Sequence, residues 1–352
     1  MRYSRYCRSL LSTPATEVHR YTSSHQSGAD IAMVDLEDSI PPHRKEEARR
    51  RATAFFSVSP HSSAPVPPSA ESRVVPVAEG AHAPSPAVSR TAPLRAVRIN
   101  AVGEPDGLRD LLALRDYPVK PDLVLIPKAE SPRDVELAAQ VLGAACPRTE
   151  FFAVIETPRG LRNAAAVAAV AAPLRALVFG SADYAFAVGA RLSWDALAYA
   201  RAALVADARA AGVEVMDAPL FEVFDEAALR REAGRARDLG FSGKIAIHPG
   251  QVPVINETFS PDARQLDHAR RVVAAGPGSG RGTAVVDGVM VGPPSFAASQ
   301  RLIEEYGPRP AAAERKGTQA AQPDQARPDR AQPDQREERA HGRQAAGKDE
   351  ER

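Results

Sequence analysis

One pattern recurs eight times along the 352-residue chain: a short apolar run ends on a polar residue, and an amphipathic segment follows. The runs are RSLLS (8–12), IAMVDL (31–36), AVRIN (96–100), LVLIP (123–127), FAVIE (152–156), RALVFG (175–180), VEVMD (213–217) and KIAIH (244–248). The intervening segments include 43–56, 131–144, 194–211 and 225–240. In the third, Leu197, Arg201, Leu204, Val205 and Ala208 fall at helical spacing, with Ser193 as the expected N-cap. Eight β-then-α units predict an α/β chain whose parallel sheet closes as a (β/α)8 barrel. The alternative is an open, doubly wound sheet. A barrel needs about 250 residues, and a hydrophobic content of 44% is enough to fill one.

Two stretches lack any helical or strand period. Residues 57–93 carry eight prolines among many Ser and Ala and predict a flexible insertion. From Gly307 the chain is rich in Pro, Gln, Arg and Asp, with the crude repeat AQPDQ (321–325), ARPDR (326–330), AQPDQ (331–335). Such a tail cannot bury enough apolar surface to offset its ordering entropy. The expected layout is a barrel domain over 1–305, including a C-terminal helical extension, and a disordered tail over 306–352.

A net charge of +1 gives no global field toward nucleic acid or an anionic membrane. Two cysteines, Cys7 and Cys146, support neither a disulfide framework nor a cysteine metal site. No apolar run approaches the ~18 residues of a spanning helix, and the basic N-terminus is too short of apolar residues for a signal peptide. The expectation is a soluble cytoplasmic protein that binds neither nucleic acid nor membrane.

A barrel places its active site at the C-terminal ends of the strands. The polar residues there are Ser12, Asp35, Glu37, Asp38, Arg98, Lys128, Glu156, Asp183, Asp217 and His248. Three of these acids crowd into VDLEDSIPP (34–42), where something must compensate their charge. Glu156 and Asp183 belong to consecutive units, with backbones ~5 Å apart. Carboxylates that close repel unless a proton or cation lies between them. Mg2+ suits one or two carboxylates completed by water and substrate oxygens. Alone, either acid reads as a cap or surface charge; together, among four other charged groups, they read as a metal pair. Glu37 and Asp38 fit acceptors for water around such an ion. Asp38 is also a candidate cap for the helix starting near Pro42, and Asp35 reads as structural. Arg98 suits bidentate binding of a substrate carboxylate, or an ion pair with the neighbouring acids. Lys128 has the same two readings. It could also serve as a Schiff-base lysine, but acidic surroundings should keep it charged. His248, before Pro249-Gly250, reads as a turn residue. AAGPGSGRG (274–282) opens no strand-to-helix phosphate loop.

RSLLSTPATE, GADIAMVDLEDSIPPHRKEEAR, VRIN, LIPKAES, IETPRGLRNA, LVFGSADYAFAVG and LGFSGKIAIHPGQVPVINETFSP occur in this order. Together they resemble the citrate lyase beta-subunit-like family, within the HpcH/HpaI aldolase and citrate lyase superfamily. The likeness covers about residues 5–305 apart from 57–93. It implies a TIM barrel, often trimeric, with a Mg2+-dependent carbon–carbon lyase site that joins or splits an acyl-CoA or acyl-carrier thioester and a 2-oxo acid. By motif position, it implies Glu156 and Asp183 as Mg2+ ligands and Arg98 on the thioester or oxo-acid oxygen. Glu37 and Asp38 would order water around the ion. Lys128 is a further substrate-side residue, and the amides around Gly180, Ser181 and Ala182 would hold a substrate carboxylate. Two departures stand out. The family's early Pro-Gly is Pro14-Ala15, and its late Asp, which serves malate-synthase or thioester-hydrolysis chemistry in relatives, is Gly292. Two other readings are a metal-dependent aldolase acting on free 2-oxo acids and aldehydes, and a catalytically silent barrel used for binding or assembly.

Overall fold

The structure is a computed structural model that describes residues 7–58, 92–276 and 282–306. The expected tail, apart from Tyr306, and residues 59–91 of the expected insertion lie outside the described residues. At the insertion's edges, Ser57 still belongs to a helix and β3 begins at Leu94.

Eight parallel strands close on themselves in sequence order. They are β1 (Ser9–Pro14), β2 (Ile31–Asp35), β3 (Leu94–Arg98), β4 (Leu123–Ile126), β5 (Glu150–Ile155), β6 (Leu174–Phe179), β7 (Glu214–Asp217) and β8 (Gly243–Ala246). Closure is made by β1 against β8, with Ser9 opposite Lys244. The helices between them are α1 (Tyr21–Gln26), α2 (Lys45–Ser57), α3 (Pro105–Asp116), α4 (Pro132–Leu142), α5 (Pro158–Arg162), α6 (Ala164–Ala168), α7 (Ser181–Val188), α8 (Ala198–Ala211) and α9 (Glu226–Leu239). After β8 come α10 (Gln251–Thr258) and α11 (Ala263–Ala274), then the hairpin β9 (Ala284–Val286) and β10 (Val289–Val291), and finally α12 (Pro293–Tyr306). The chain is thus a (β/α)8 barrel, and the open sheet is excluded.

Strand residues alternate between two apolar layers. Leu10, Ile31, Met33, Ala96, Leu125, Phe152, Val154, Val178 and Met216 fill the inside of the barrel. Leu11, Ala32, Val34, Val97, Ile126, Ile155, Phe179 and Val215 face the helices. This alternation decides which strand-end residues can reach the mouth. Two positions beyond Met33, Ala96, Val154 and Val178 lie Asp35, Arg98, Glu156 and Gly180, which therefore face inward at the C-terminal rim.

Three sequence expectations change here. Asp217, expected at the mouth, follows inward Met216 and so turns toward the helices. There it accepts from Lys244 Nζ at 2.7 Å and Arg201 Nε at 2.8 Å, while Lys244 also donates to Glu232 at 2.7 Å. Ser193 does not cap α8: a 3-10 turn over Asp195–Leu197 intervenes, and the N-cap is Leu197. The C-terminal extension holds the β9–β10 hairpin as well as helices. Asp287 (φ 51°) and Gly288 (φ 79°) both take positive φ, as a two-residue type I′ turn requires.

Asp217 and Lys244 are fully buried, and removing Asp217 takes away the carboxylate shared by Lys244 and Arg201, leaving Lys244 only Glu232 and the Ala218 carbonyl. Asp217→Ala is expected to cost about 3–5 kcal/mol in urea unfolding. The pH dependence has a defined sign. Burial opposes the Asp217 charge, but Lys244 and Arg201 outweigh it and hold the carboxyl below the usual range. Its stabilisation is therefore complete above the unfolded carboxyl value, near pH 4, and is lost as pH falls through the lower folded value. Thermal melts should show a weaker acid dependence in the variant than in the wild type.

Candidate active site at the barrel mouth

The site starts from an ion pair between neighbouring strands. Asp35 and Arg98 stand opposite each other in the β2–β3 register. Arg98 Nε and Nη2 donate to the two Asp35 oxygens, each at 2.7 Å. Asp35 also accepts from the backbone N–H groups of Glu37 (3.0 Å) and Ser39 (3.2 Å). Burial opposes the Asp35 charge, but Arg98 and these donors hold its pKa below the ordinary value. The structural reading of Asp35 is therefore supported, and Asp35 also shapes the loop that presents Glu37.

Arg98 Nη1 lies 3.0 Å from Glu37 Oε2 and 3.1 Å from Asp38 Oδ2. Of its two expected roles, the ion-pair role is present in full. Asp38 caps no helix: the 3-10 turn after it starts at Pro42 with Pro41 as N-cap and no side-chain bond. Lys128 stands two residues beyond β4 at φ 51°, a conformation costing about 1–3 kcal/mol for a residue with a side chain. Its backbone N–H donates to Glu156 Oε1 at 2.8 Å, and its Nζ donates to Glu37 Oε1 at 2.5 Å. Burial pulls on this ammonium, but Glu37, Glu156 and Asp38 hold its pKa above the ordinary lysine value. A neutral Schiff-base nucleophile is not what these surroundings favour.

Glu156 follows β5 and is 1% exposed. Burial first, then the Glu37 charge and, more weakly, Asp183, push its pKa up to about 8. Burial pushes Glu37 up to about 7, with Arg98 acting against it. Five carboxyl groups (Asp35, Glu37, Asp38, Glu156, Asp183) thus gather around two directly paired cations, Arg98 and Lys128. Glu37 Oε2 is buried, and among the described residues nothing donates a hydrogen bond to it; the nearby Arg98 nitrogen is not aligned to do so.

Asp183 sits in the first turn of α7, whose N-cap is Gly180. The Gly180 N–H is committed to the Ile155 carbonyl at 3.1 Å, so the first-turn donors available to a ligand begin at Ser181 and Ala182. Gly180 must be glycine for another reason: a Cβ there would meet Glu156 Oε2 at 2.3 Å and Glu156 Cβ at 2.4 Å. His248 is exposed and accepts from the Gly250 N–H at 3.1 Å, as a turn residue does. Among the described residues no three His, Cys, Asp or Glu side chains converge to hold a metal by themselves. A cation here would have two carboxylates and complete its shell with water or substrate oxygens.

The family model for HpcH/HpaI aldolase/citrate lyase matches residues 75–249. A (3S)-malyl-CoA thioesterase of Cereibacter sphaeroides is 32% identical over 290 residues, covering 81% of this chain and 89% of the relative. The chain belongs to the HpcH/HpaI aldolase/citrate lyase family. Other members fit the same pattern. A citrate lyase subunit beta-like protein of Mycobacterium tuberculosis is 31% identical over 301 residues, covering 84% of this chain and 93% of that protein. The solved structure of CitE from the same organism, in complex with magnesium, acetoacetate and coenzyme A, superposes with a TM-score of 0.65 at 28% identity. It covers 86% of this chain and 99% of CitE. The family assignment makes the chain a lyase. No helix among the described residues is long and apolar enough to cross a membrane.

Gly180→Ala tests the packing under Glu156. The added methyl has no free space, so thermal unfolding should report a loss of about 1–3 kcal/mol, and a crystal structure should show the Glu156 carboxyl displaced.

Proposed function

We propose that the protein is a Mg2+-dependent lyase that cleaves or forms a 3-hydroxyacyl thioester, exchanging it with an acyl-CoA (or acyl-carrier) thioester and a 2-oxo acid. The observation that carries this reading is the buried Glu156 carboxyl, pushed up to about 8 by burial and its acidic neighbours, beside Glu37 Oε2, which lies 3.0 Å from Arg98 Nη1 but has no aligned donor among the described residues. Both features fit a site made for a divalent cation and its water, because the ion would relieve the repulsion and the water would supply the missing donor.

Glu156 and Asp183 would hold the ion. When bound, Mg2+ supplies a Lewis acid for the 2-oxo or 2-hydroxy carboxylate. The remaining work falls to the chain. Glu37 and Asp38 orient water at the site. The Ser181 and Ala182 amides, at the positive end of α7, hold the substrate carboxylate. Arg98 and Lys128 face the thioester oxygen, where negative charge develops as the carbon–carbon bond breaks. In cleavage the hydroxyl proton passes to water at the site, the hydroxyl carbon becomes the 2-oxo carbon, and the bonding electron pair passes to the thioester enolate, which takes a proton from water to give the acyl thioester. The resemblance implies an Asp of hydrolytic members at the position of Gly292, and its replacement sets hydrolysis apart from our reading. A homotrimer belongs to the proposal, and the exposed Val285, Val289 and Met290 of the hairpin are apolar surface that such an assembly would cover.

Calorimetry with Mg2+ and oxaloacetate or glyoxylate tests the site. Binding of the oxo acid should require Mg2+ and should disappear in Glu156→Ala and in Asp183→Ala. Turnover of citryl-CoA or malyl-CoA should release one 2-oxo acid per thioester with no free thiol. Free thiol in equal amount would assign a thioesterase. Turnover of free hydroxy-oxo acids without CoA would favour the free-acid aldolase.

A further inference from the structure

Beneath the acid loop lies a polar cluster that the proposed mechanism does not use. Lys45, the first residue of α2, points its Nζ at three oxygens: the Leu36 carbonyl at 2.9 Å, the Glu37 carbonyl at 2.7 Å and Asn100 Oδ1 at 2.6 Å. All three ammonium hydrogens therefore have acceptors, and every acceptor is neutral. Lys45 therefore meets the acid loop through its backbone carbonyls. Asn100 lies just beyond β3 and is 3% exposed. Its Nδ2 donates to the same Leu36 carbonyl at 3.1 Å and to Asp110 Oδ2 at 2.6 Å. Fully buried Asp110, from α3, also accepts from the Asn100 backbone N–H at 2.8 Å and from Arg49 Nη1 at 3.0 Å. Arg49 lies one turn beyond Lys45 on α2, which brings both cations to one face.

Two consecutive carbonyls, Leu36 and Glu37, are thus gripped from below by a side chain that reaches the site through them alone. Their peptide planes set the direction of the Glu37 side chain, the one whose Oε2 lacks a donor. We infer that Lys45 and Asn100 are positioning residues, which hold the Glu37 carboxylate toward the cation site by clamping the Leu36 and Glu37 carbonyls. The inference rests on the proposed Mg2+ site at Glu156 and Asp183. Residues that orient a metal's outer partners typically change affinity by about 10–100-fold.

The test compares Mg2+ affinity with stability in four proteins: wild type, Lys45→Met, Lys45→Cys, and Lys45→Cys alkylated with bromoethylamine, which restores an amine of nearly lysine length. Alkylation should be selective, because Cys7 and Cys146 are buried and burial pushes both thiols up. The expected result is a Mg2+ affinity at least tenfold weaker in Lys45→Met and Lys45→Cys by calorimetry, with recovery in the alkylated protein. Glu37→Gln should remove the sensitivity, so that adding Lys45→Met to it weakens binding little further. A Lys45→Met protein that melts lower but binds Mg2+ like wild type would overturn the inference and leave the metal site standing. Absence of Mg2+ binding in wild type would overturn both. If the Met and Cys variants fail to fold, Lys45→Arg decides. It keeps the charge but cannot place one nitrogen on three convergent oxygens, so tenfold weaker binding supports the clamp and unchanged binding overturns it.

Discussion

The bidentate pair between Asp35 and Arg98 is the interaction on which the site depends. It joins adjacent strands at the rim of a closed barrel and places a guanidinium where three acids of one loop can meet it. Without that charge, Glu37 and Asp38 would repel each other and the Glu156 carboxyl beside them. With it, the loop is held but remains short of positive charge. Burial, with help from acidic neighbours, pushes Glu156 up to about 8 and Glu37 up to about 7, so a proton or a cation is favoured in this desolvated place.

The barrel supplies the rest by alternation. Inward positions carry apolar side chains to the last layer, then change to Asp35, Arg98, Glu156 and Gly180. Outward positions stay with the helices, where Asp217, Lys244, Arg201 and Glu232 tie α8 and α9 to β7 and β8. The two polar groups perform separate tasks. The outer one pairs its charges internally and anchors elements, although among the described residues Arg201 Nη1 has no acceptor. The inner one gathers its acids around Arg98 and Lys128 at the rim.

Much of this was legible in the sequence. The eight recurring units were enough for the barrel, and the strand-end rule pointed to Glu37, Asp38, Arg98, Lys128 and Glu156, which the fold brings together at the rim. Asp217 was misplaced because position at a strand end was weighed without the two-residue period; Met216 inside puts Asp217 outside. The hairpin was also within reach, since VVDGVMV (285–291) sets Asp-Gly between alternating valines. Lys45 and Asn100 carried no such signal. A lysine in a helix's first turn reads as a solvated charge, and only the folded chain shows three carbonyl-type oxygens converging on it. Asp183 was paired with Glu156 from the order of consecutive units, and in the fold it sits in the first turn of α7 and not at a strand end.

The central claim is that the acids at the mouth form a divalent-cation site. Anomalous diffraction from crystals soaked in Mn2+ tests it most directly, since Mn2+ accepts the same oxygen ligands. The account predicts one strong peak at the barrel mouth, within about 2.0–2.2 Å of carboxylate oxygens of both Glu156 and Asp183, with Glu37 reaching the ion through water. A peak only at surface acids, or a fully occupied mouth in which Lys128 alone neutralises Glu156, would contradict it.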